Sequence, residues 1–147
     1  MRKETVILIA EDDEGHFSLI RKNLQRAGVE NPIIRFPDGQ AILDFFFHPN
    51  PRTAPVESDS YLLLLDIRMP KVDGIEVLLA LKKDPRLRVI PIIMVTTTDD
   101  PIEVDRCHRL GCSLYLAKPV EYDSFVDVIR KVGMFFSLLE VPLLEGV

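Results

Sequence analysis

The acids Glu11, Asp12, Asp13 and Glu14 stand in succession, and Asp66, Thr96 and Lys118 stand far from them and from each other, yet all close an apolar run. Thr5-Val6-Ile7-Leu8-Ile9-Ala10 precedes the acids, Tyr61-Leu62-Leu63-Leu64-Leu65 precedes Asp66, Ile90-Pro91-Ile92-Ile93-Met94-Val95 precedes Thr96, and Ser113-Leu114-Tyr115-Leu116-Ala117 precedes Lys118. Carboxylates gathered without a counter-charge repel one another. A hard cation resolves the conflict, and Mg²⁺ suits oxygen ligands whose shell is completed by water and phosphate. With a hydroxyl donor and an ammonium added, such a site is built for a phosphoryl group. Singly, each residue has a plainer use: Asp13 or Glu14 in the first turn of a helix, Asp66 in a turn, Thr96 as a cap, Lys118 on the surface. Their joint occurrence at the ends of four apolar runs favours the chemistry.

The elements that would position them read as follows. Short apolar runs bounded by turn residues are strands buried on both faces, as in a parallel sheet. Between them, apolar residues recur at helical spacing: Phe17, Ile20, Leu24 and Ala27 up to Gly28; Ala41, Ile42, Phe45 and Phe46 up to His48-Pro49; Ile75, Leu78, Leu79 and Leu81 up to Asp84-Pro85; a stretch to Gly111 opened by Asp100-Pro101-Ile102-Glu103; and Phe125, Val128, Ile129, Val132 and Phe136 from about Glu121. An acid at the N-cap, proline at the first helical position and Glu soon after form a helix-start signature. Ile33 to Phe36 supplies a further short strand, and the Pro-rich stretch from Pro49 to Ser60 a long loop. Strand and helix alternate five times, which predicts an α/β fold: a doubly wound five-stranded parallel sheet with helices on both faces. In the strand order 2-1-3-4-5 the first and third strands are neighbours, and the crevice at their carboxyl ends collects Glu11, Asp12, Asp13 and Asp66.

The chain has 147 residues, 47% of them hydrophobic, and a net charge of −5, which fits one domain and disfavours a surface made to neutralise nucleic-acid phosphates. The start of the chain lacks a signal-peptide core, and its end lacks the unbroken apolar run of a membrane span, so a cytoplasmic protein is expected. Cys107 and Cys112 match neither a redox pair nor a zinc site and read as reduced packing residues; His16, His48 and His108 read as surface or capping residues.

Through Ile7-Leu8-Ile9-Ala10-Glu11-Asp12-Asp13, Leu65-Asp66-Ile67-Arg68-Met69-Pro70 with Asp73-Gly74, Met94-Val95-Thr96 and Tyr115-Leu116-Ala117-Lys118-Pro119, the sequence resembles the receiver domain of bacterial two-component response regulators. The resemblance implies a flavodoxin-like receiver fold and a signalling phosphoacceptor rather than an enzyme. In it Asp66 accepts a phosphoryl group from a sensor histidine kinase, and Glu11, Asp12, Asp66 and the Arg68 backbone carbonyl hold Mg²⁺. Thr96 and Lys118 receive the phosphoryl oxygens, and Tyr115 is the aromatic switch. The peptide before Pro119 would be cis, aiming Lys118 into the site. Thr97, where the family usually has a small residue, and Arg68 should border the path of an attacking water and so bear on the phosphoryl lifetime. A phosphohydrolase of haloacid-dehalogenase type also uses an Asp nucleophile with Mg²⁺, but Asp66-Ile67-Arg68 lacks its second acid; a degenerate receiver acting as a dimerising scaffold would not keep the full set of acids, Thr96 and Lys118.

The chain ends at Val147, so the expectation is a single receiver domain over residues 1–147, with a core from about 5 to 132 and a C-terminal extension from about 133 to 147. The long second-helix loop and the extension resemble the regulators that partner bacterial phytochrome kinases, which implies a phytochrome-type kinase and leaves room for a downstream phosphotransfer protein. The apolar residues Phe135, Phe136, Leu138 and Leu139 exceed the single stripe that a terminal helix buries, and a homodimer through them is expected, the alternative being that the extension folds back on its own domain.

Overall fold

Five short runs rich in aliphatic side chains pair as one parallel sheet, in which the three central strands are buried on both faces and the two edge strands are only partly covered. In the computed structural model, which describes residues 1–49 and 58–144, they are β1 (Val6–Ala10), β2 (Ile33–Phe36), β3 (Tyr61–Leu65), β4 (Ile92–Thr96) and β5 (Leu114–Ala117), in the order β2-β1-β3-β4-β5. The register sets Ala10 beside Leu65, Leu65 beside Met94 and Thr96 beside Ala117, so the carboxyl ends of the strands lie together. This is the flavodoxin-like order that the sequence predicts.

The helices between them are α1 (Glu14–Arg26), α2 (Gly39–Phe47), α3 (Gly74–Lys83), α4 (Pro101–Leu110) and α5 (Tyr122–Phe136). Because side chains alternate across a strand, Ile7, Ile9, Leu62, Leu64, Ile93 and Val95 pack with Ile20, Leu24, Phe125, Ile129 and Phe136 of α1 and α5. Leu8, Leu63, Leu65, Ile92 and Met94 pack on the other face with Ile42, Leu78, Leu81 and Cys107 of α2, α3 and α4. Aspartates start four of the helices. Asp13, Asp38, Asp73 and Asp100 accept from the backbone N–H of His16, Ala41, Glu76 and Ile102 at 2.8–3.0 Å, each such cap stabilising its helix by about 1 kcal/mol. Gly111 ends α4 in the left-handed region at φ 110°, its N–H and that of Cys112 closing on the Cys107 carbonyl.

Two details depart from the sequence reading. The fourth strand starts at Ile92, not Ile90, because Leu87–Val89 forms a 3₁₀ turn whose last bond runs from the Ile90 N–H to the Leu87 carbonyl. Within the last helix, a Cβ at Gly133 would lie 2.7 Å from that of Ala27, so its absence lets α5 approach α1 closely. The tail also corrects one residue of the expected interface, Phe136. Phe136 is fully buried against the core of its own chain, and Val141 and Leu144 are buried too, the Leu144 N–H bonding the Asp59 carbonyl at 2.6 Å. Leu139 is half-buried, while Phe135 and Leu138 stay exposed. Most of the predicted second-helix loop falls at 50–57, and the end of the extension at 145–147, outside the described residues. Among the described residues, no helix is long and apolar enough to cross a membrane.

Candidate functional site

Backbone bonds at the strand ends fix the site before any side chain enters it. The Asp66 N–H donates to the Ala10 carbonyl at 3.1 Å, which sets Asp66 beside the end of β1. Glu11 is held by its N–H on the Phe36 carbonyl at 3.0 Å, and Lys118 by its N–H on the Thr96 carbonyl at 2.6 Å. Just past Asp66 the chain needs Gly74: a Cβ there would lie 2.0 Å from the Asp66 carbonyl oxygen. Only a residue without Cβ lets the start of α3 pass so close to the backbone that carries Asp66.

Carboxylate oxygens of Glu11, Asp12 and Asp66 lie within 4.8 Å of one another. Glu11 and Asp66 are buried and Asp12 is exposed, so the cluster has an inner wall and an outer opening. An all-oxygen donor set with one side open to water fits Mg²⁺, which keeps several waters in its shell. The Lys118 ammonium sits against the same acids, its Nζ 2.8 Å from Glu11 Oε2 and 3.0 Å from Asp66 Oδ2. Its third contact is His16 Nδ1 at 3.1 Å. An ammonium has three protons to donate, so the three partners use all of them, with Nδ1 accepting. His16 Nδ1 is also 3.3 Å from Glu11 Oε1.

One cation shared by two buried carboxylates leaves the pocket short of positive charge. Burial, and the hydrogen bond and negative charge of Asp66, push the Glu11 carboxyl up to about 8 from an ordinary 4.5, against the pull of Lys118. The folded protein therefore holds a proton on Glu11 that the unfolded chain releases near pH 4.5. Where the native state binds more protons, stability falls as pH rises. In EDTA, thermal melts should show this group's contribution declining between about pH 5 and pH 8, and Glu11→Gln should flatten that decline; Mg²⁺, which competes with the proton, should restore stability at the alkaline end. An equally steep slope in the variant would remove Glu11 as its source.

Thr96 is buried, and its Oγ1 has no hydrogen-bond partner among the described residues. Leaving a buried hydroxyl unpaired costs about 1–3 kcal/mol, so the position is not explained by folding alone. The Tyr115 hydroxyl donates to the Thr98 carbonyl at 2.6 Å, tying β5 to the segment after Thr96. Burial of this phenol, with Cys107 and nearby acids, pushes it up to about 12. Thr97 and Arg68 are exposed. The Lys118–Pro119 peptide is not cis, which corrects the sequence reading. Trans is the lower-energy isomer of an X–Pro bond by about 0.5–1 kcal/mol, and Lys118 already reaches both acids from the trans backbone, so no cis bond is needed to aim it.

Residues 7–130 match the family model described as the response regulator receiver domain. The chain belongs to that family. This receiver is 33% identical over 133 residues to the probable methanogenesis regulatory protein FilR2 of Methanothrix harundinacea, covering 89% of this chain and 83% of the relative. Among solved structures it is similar to a response regulator receiver domain from Rhodospirillum rubrum, with 43% identity, a TM-score of 0.88, and 96% and 99% of the two chains covered. It is also similar to the bacteriophytochrome response regulator RtBRR, with 35% identity, a TM-score of 0.72, and 97% and 85% covered. Receivers are signalling phosphoacceptors of two-component systems, and the acidic pocket of this one is compatible with Mg²⁺.

The strand-end crevice thus brings together Glu11, Asp12, Asp66 and Lys118, with Thr96 in the neighbouring strand end. Two polar residues of this receiver's site escaped the sequence reading. His16 lies one turn into α1, where the spacing from the acids places it back over them; Arg35 is the one charged residue in Ile33-Ile34-Arg35-Phe36, an unusual occupant of a sheet strand. Beside Lys118, a cavity of about 340 Å³ is lined by His16, Leu19, Thr97, Pro119, Val120 and Tyr122 among others, with Val120 and Tyr122 fully or largely exposed at its rim.

Proposed function

We propose that Asp66 accepts a phosphoryl group from the phosphohistidine of a sensor histidine kinase and that the acyl phosphate resets the segment after Thr96. In the transfer an Asp66 carboxylate oxygen forms the new P–O bond as the donor's P–N bond breaks, and the departing imidazole retains the bonding pair and takes up a proton. Such a transfer depends on alignment and charge neutralisation more than on covalent help. Glu11, Asp12 and Asp66, with the Arg68 carbonyl, would hold Mg²⁺, which when bound would supply positive charge to the phosphoryl oxygens. Lys118 can turn one of its donors from the carboxylates to the same oxygens.

The observation that carries this reading is the buried Thr96 hydroxyl with no partner among the described residues, at the strand end beside the acidic cluster. A phosphoryl oxygen would give it one. Drawn toward Asp66, Thr96 takes Thr97 and Thr98 with it, and the Thr98 carbonyl is the acceptor of the Tyr115 hydroxyl. A local change of charge then alters the face made by α4 and β5. The exposed Val120 and Tyr122 beside the Lys118 cavity suit a donor protein that must deliver its phosphohistidine there. Likeness to a bacteriophytochrome response regulator supports a phytochrome-type kinase as that donor.

Thr96→Val tests the reading, because it keeps the shape and removes the unpaired hydroxyl. The variant should be as stable as the wild type or more so, by about 1 kcal/mol in urea unfolding. It should still take up phosphoryl, yet lose the phosphorylation-dependent change in hydrogen exchange over α4 and β5. A variant that is clearly less stable, or that switches like the wild type, would return Thr96 to a packing role.

A further inference from the structure

Arg35 sits within β2, opposite Ile9, and its guanidinium reaches over the chain that leaves β1. Its Nε donates to the Glu11 carbonyl at 3.2 Å and its Nη2 to the Asp12 carbonyl at 3.0 Å. The group is fixed from two further sides. Nη1 lies 3.6 Å from Glu14 Oε1, and the guanidinium stands over the Phe17 ring, 5.5 Å from its centroid. The side chain is 23% exposed, so this arrangement is partly sheltered from water.

We infer that Arg35 is a positioning residue of the metal site, holding the peptides of Glu11 and Asp12 so that their two carboxylates meet Asp66 at the spacing a small cation requires. The inference rests on reading the acidic cluster as a Mg²⁺ site. Its physical content lies in the fork. Glu11 is tied to β2 through its N–H on the Phe36 carbonyl, but the Glu11 and Asp12 carbonyls lie beyond the last residue of β1 and before the Asp13 cap of α1, and it is these that the Arg35 guanidinium bridges. A planar guanidinium bridges two successive carbonyls with donors set at a fixed angle; a lysine, with a point charge on a flexible stem, does not reproduce that geometry. Mg²⁺ demands near-ideal octahedral placement of its ligands, so small rotations of these peptides weaken the site. Charge acts in the opposite sense, because a guanidinium near the cluster repels a dication. Positioning and charge therefore predict opposite results, which makes the inference testable.

Mg²⁺ binding is measured by titration calorimetry on the whole chain, alongside thermal melts in EDTA. Arg35→Lys keeps the charge and loses the fork; it should bind Mg²⁺ roughly tenfold more weakly, the lower end of what outer-shell substitutions do, while melting close to the wild type in EDTA. Arg35→Gln, neutral but with a donor amide, should lie between the two. Equal affinity in Arg35→Lys, or tighter binding in Arg35→Gln than in the wild type, would overturn the inference in favour of charge alone. A large drop in the EDTA melting temperature of both variants would overturn it in favour of a structural role. Absence of Mg²⁺ binding by the wild type would overturn the metal-site reading itself, and this inference with it.

Discussion

Gly74→Ala is expected to destabilise the protein by about 3 kcal/mol, at the upper end of what overpacking usually costs, and to lower its melting temperature by roughly 10 °C for a chain of this size. The added Cβ would stand 2.0 Å from the Asp66 carbonyl oxygen, 2.8 Å from its carbonyl carbon and 2.8 Å from Ile67 Cα. All three are backbone atoms, so no side chain can swing aside. The Gly74 N–H also donates to the Ile67 carbonyl at 2.7 Å, and that bond would be stretched by any retreat. Alanine's better helix propensity, worth about 1 kcal/mol in a helix interior, offsets only part of this. Gly28→Ala is the comparison: its Cβ would meet nothing within 4 Å, although φ there is +95°. That change should cost only about 1–2 kcal/mol, from the strain of a left-handed residue. Urea unfolding of both variants ranks them; a Gly74→Ala cost no greater than that of Gly28→Ala would mean the loop after Asp66 yields freely. Because the clash falls on the peptide that carries Asp66, the same variant should also accept phosphoryl more slowly.

The frame of this site was legible in the sequence for a definite reason. Buried parallel strands read as unbroken aliphatic runs, and the polar residue that ends each run lands at the carboxyl edge of the sheet, so Glu11, Asp66, Thr96 and Lys118 could be assembled without coordinates. Asp13 and Asp100 announced helix starts because an N-cap is a local interaction. What failed to show depended on contacts between distant segments. Phe136 looks surplus on an apolar terminal helix, but Gly133 lets α5 settle against α1 near Ala27, and a wider stripe is buried than helical spacing alone foretells. Arg35 reaches Glu11 and Asp12 only through the pairing of β2 with β1. His16 shares Lys118 only once β5 has returned to the sheet beside β4. The cis peptide expected before Pro119 came from family likeness rather than from any local force in this chain, and with the trans bond Lys118 reaches both Glu11 and Asp66.

Asp66→Asn should abolish phosphoryl uptake while leaving the fold in place. The amide keeps the shape of the carboxylate and accepts from Lys118 through one oxygen, but it has no nucleophilic oxygen anion to form the acyl phosphate. The neighbouring acids are not expected to substitute: burial and the charge of Asp66 push Glu11 toward its neutral form, and Asp12 lies exposed at the outer edge of the cluster. The deciding measurement is intact-protein mass spectrometry after incubation with acetyl phosphate and Mg²⁺, followed by peptide mapping. The account predicts one added phosphoryl group on the wild type, mapped to Asp66 and absent when Mg²⁺ is chelated, and none on Asp66→Asn. Equal labelling of the variant, or a phosphoryl group mapped to another residue in the wild type, would contradict it.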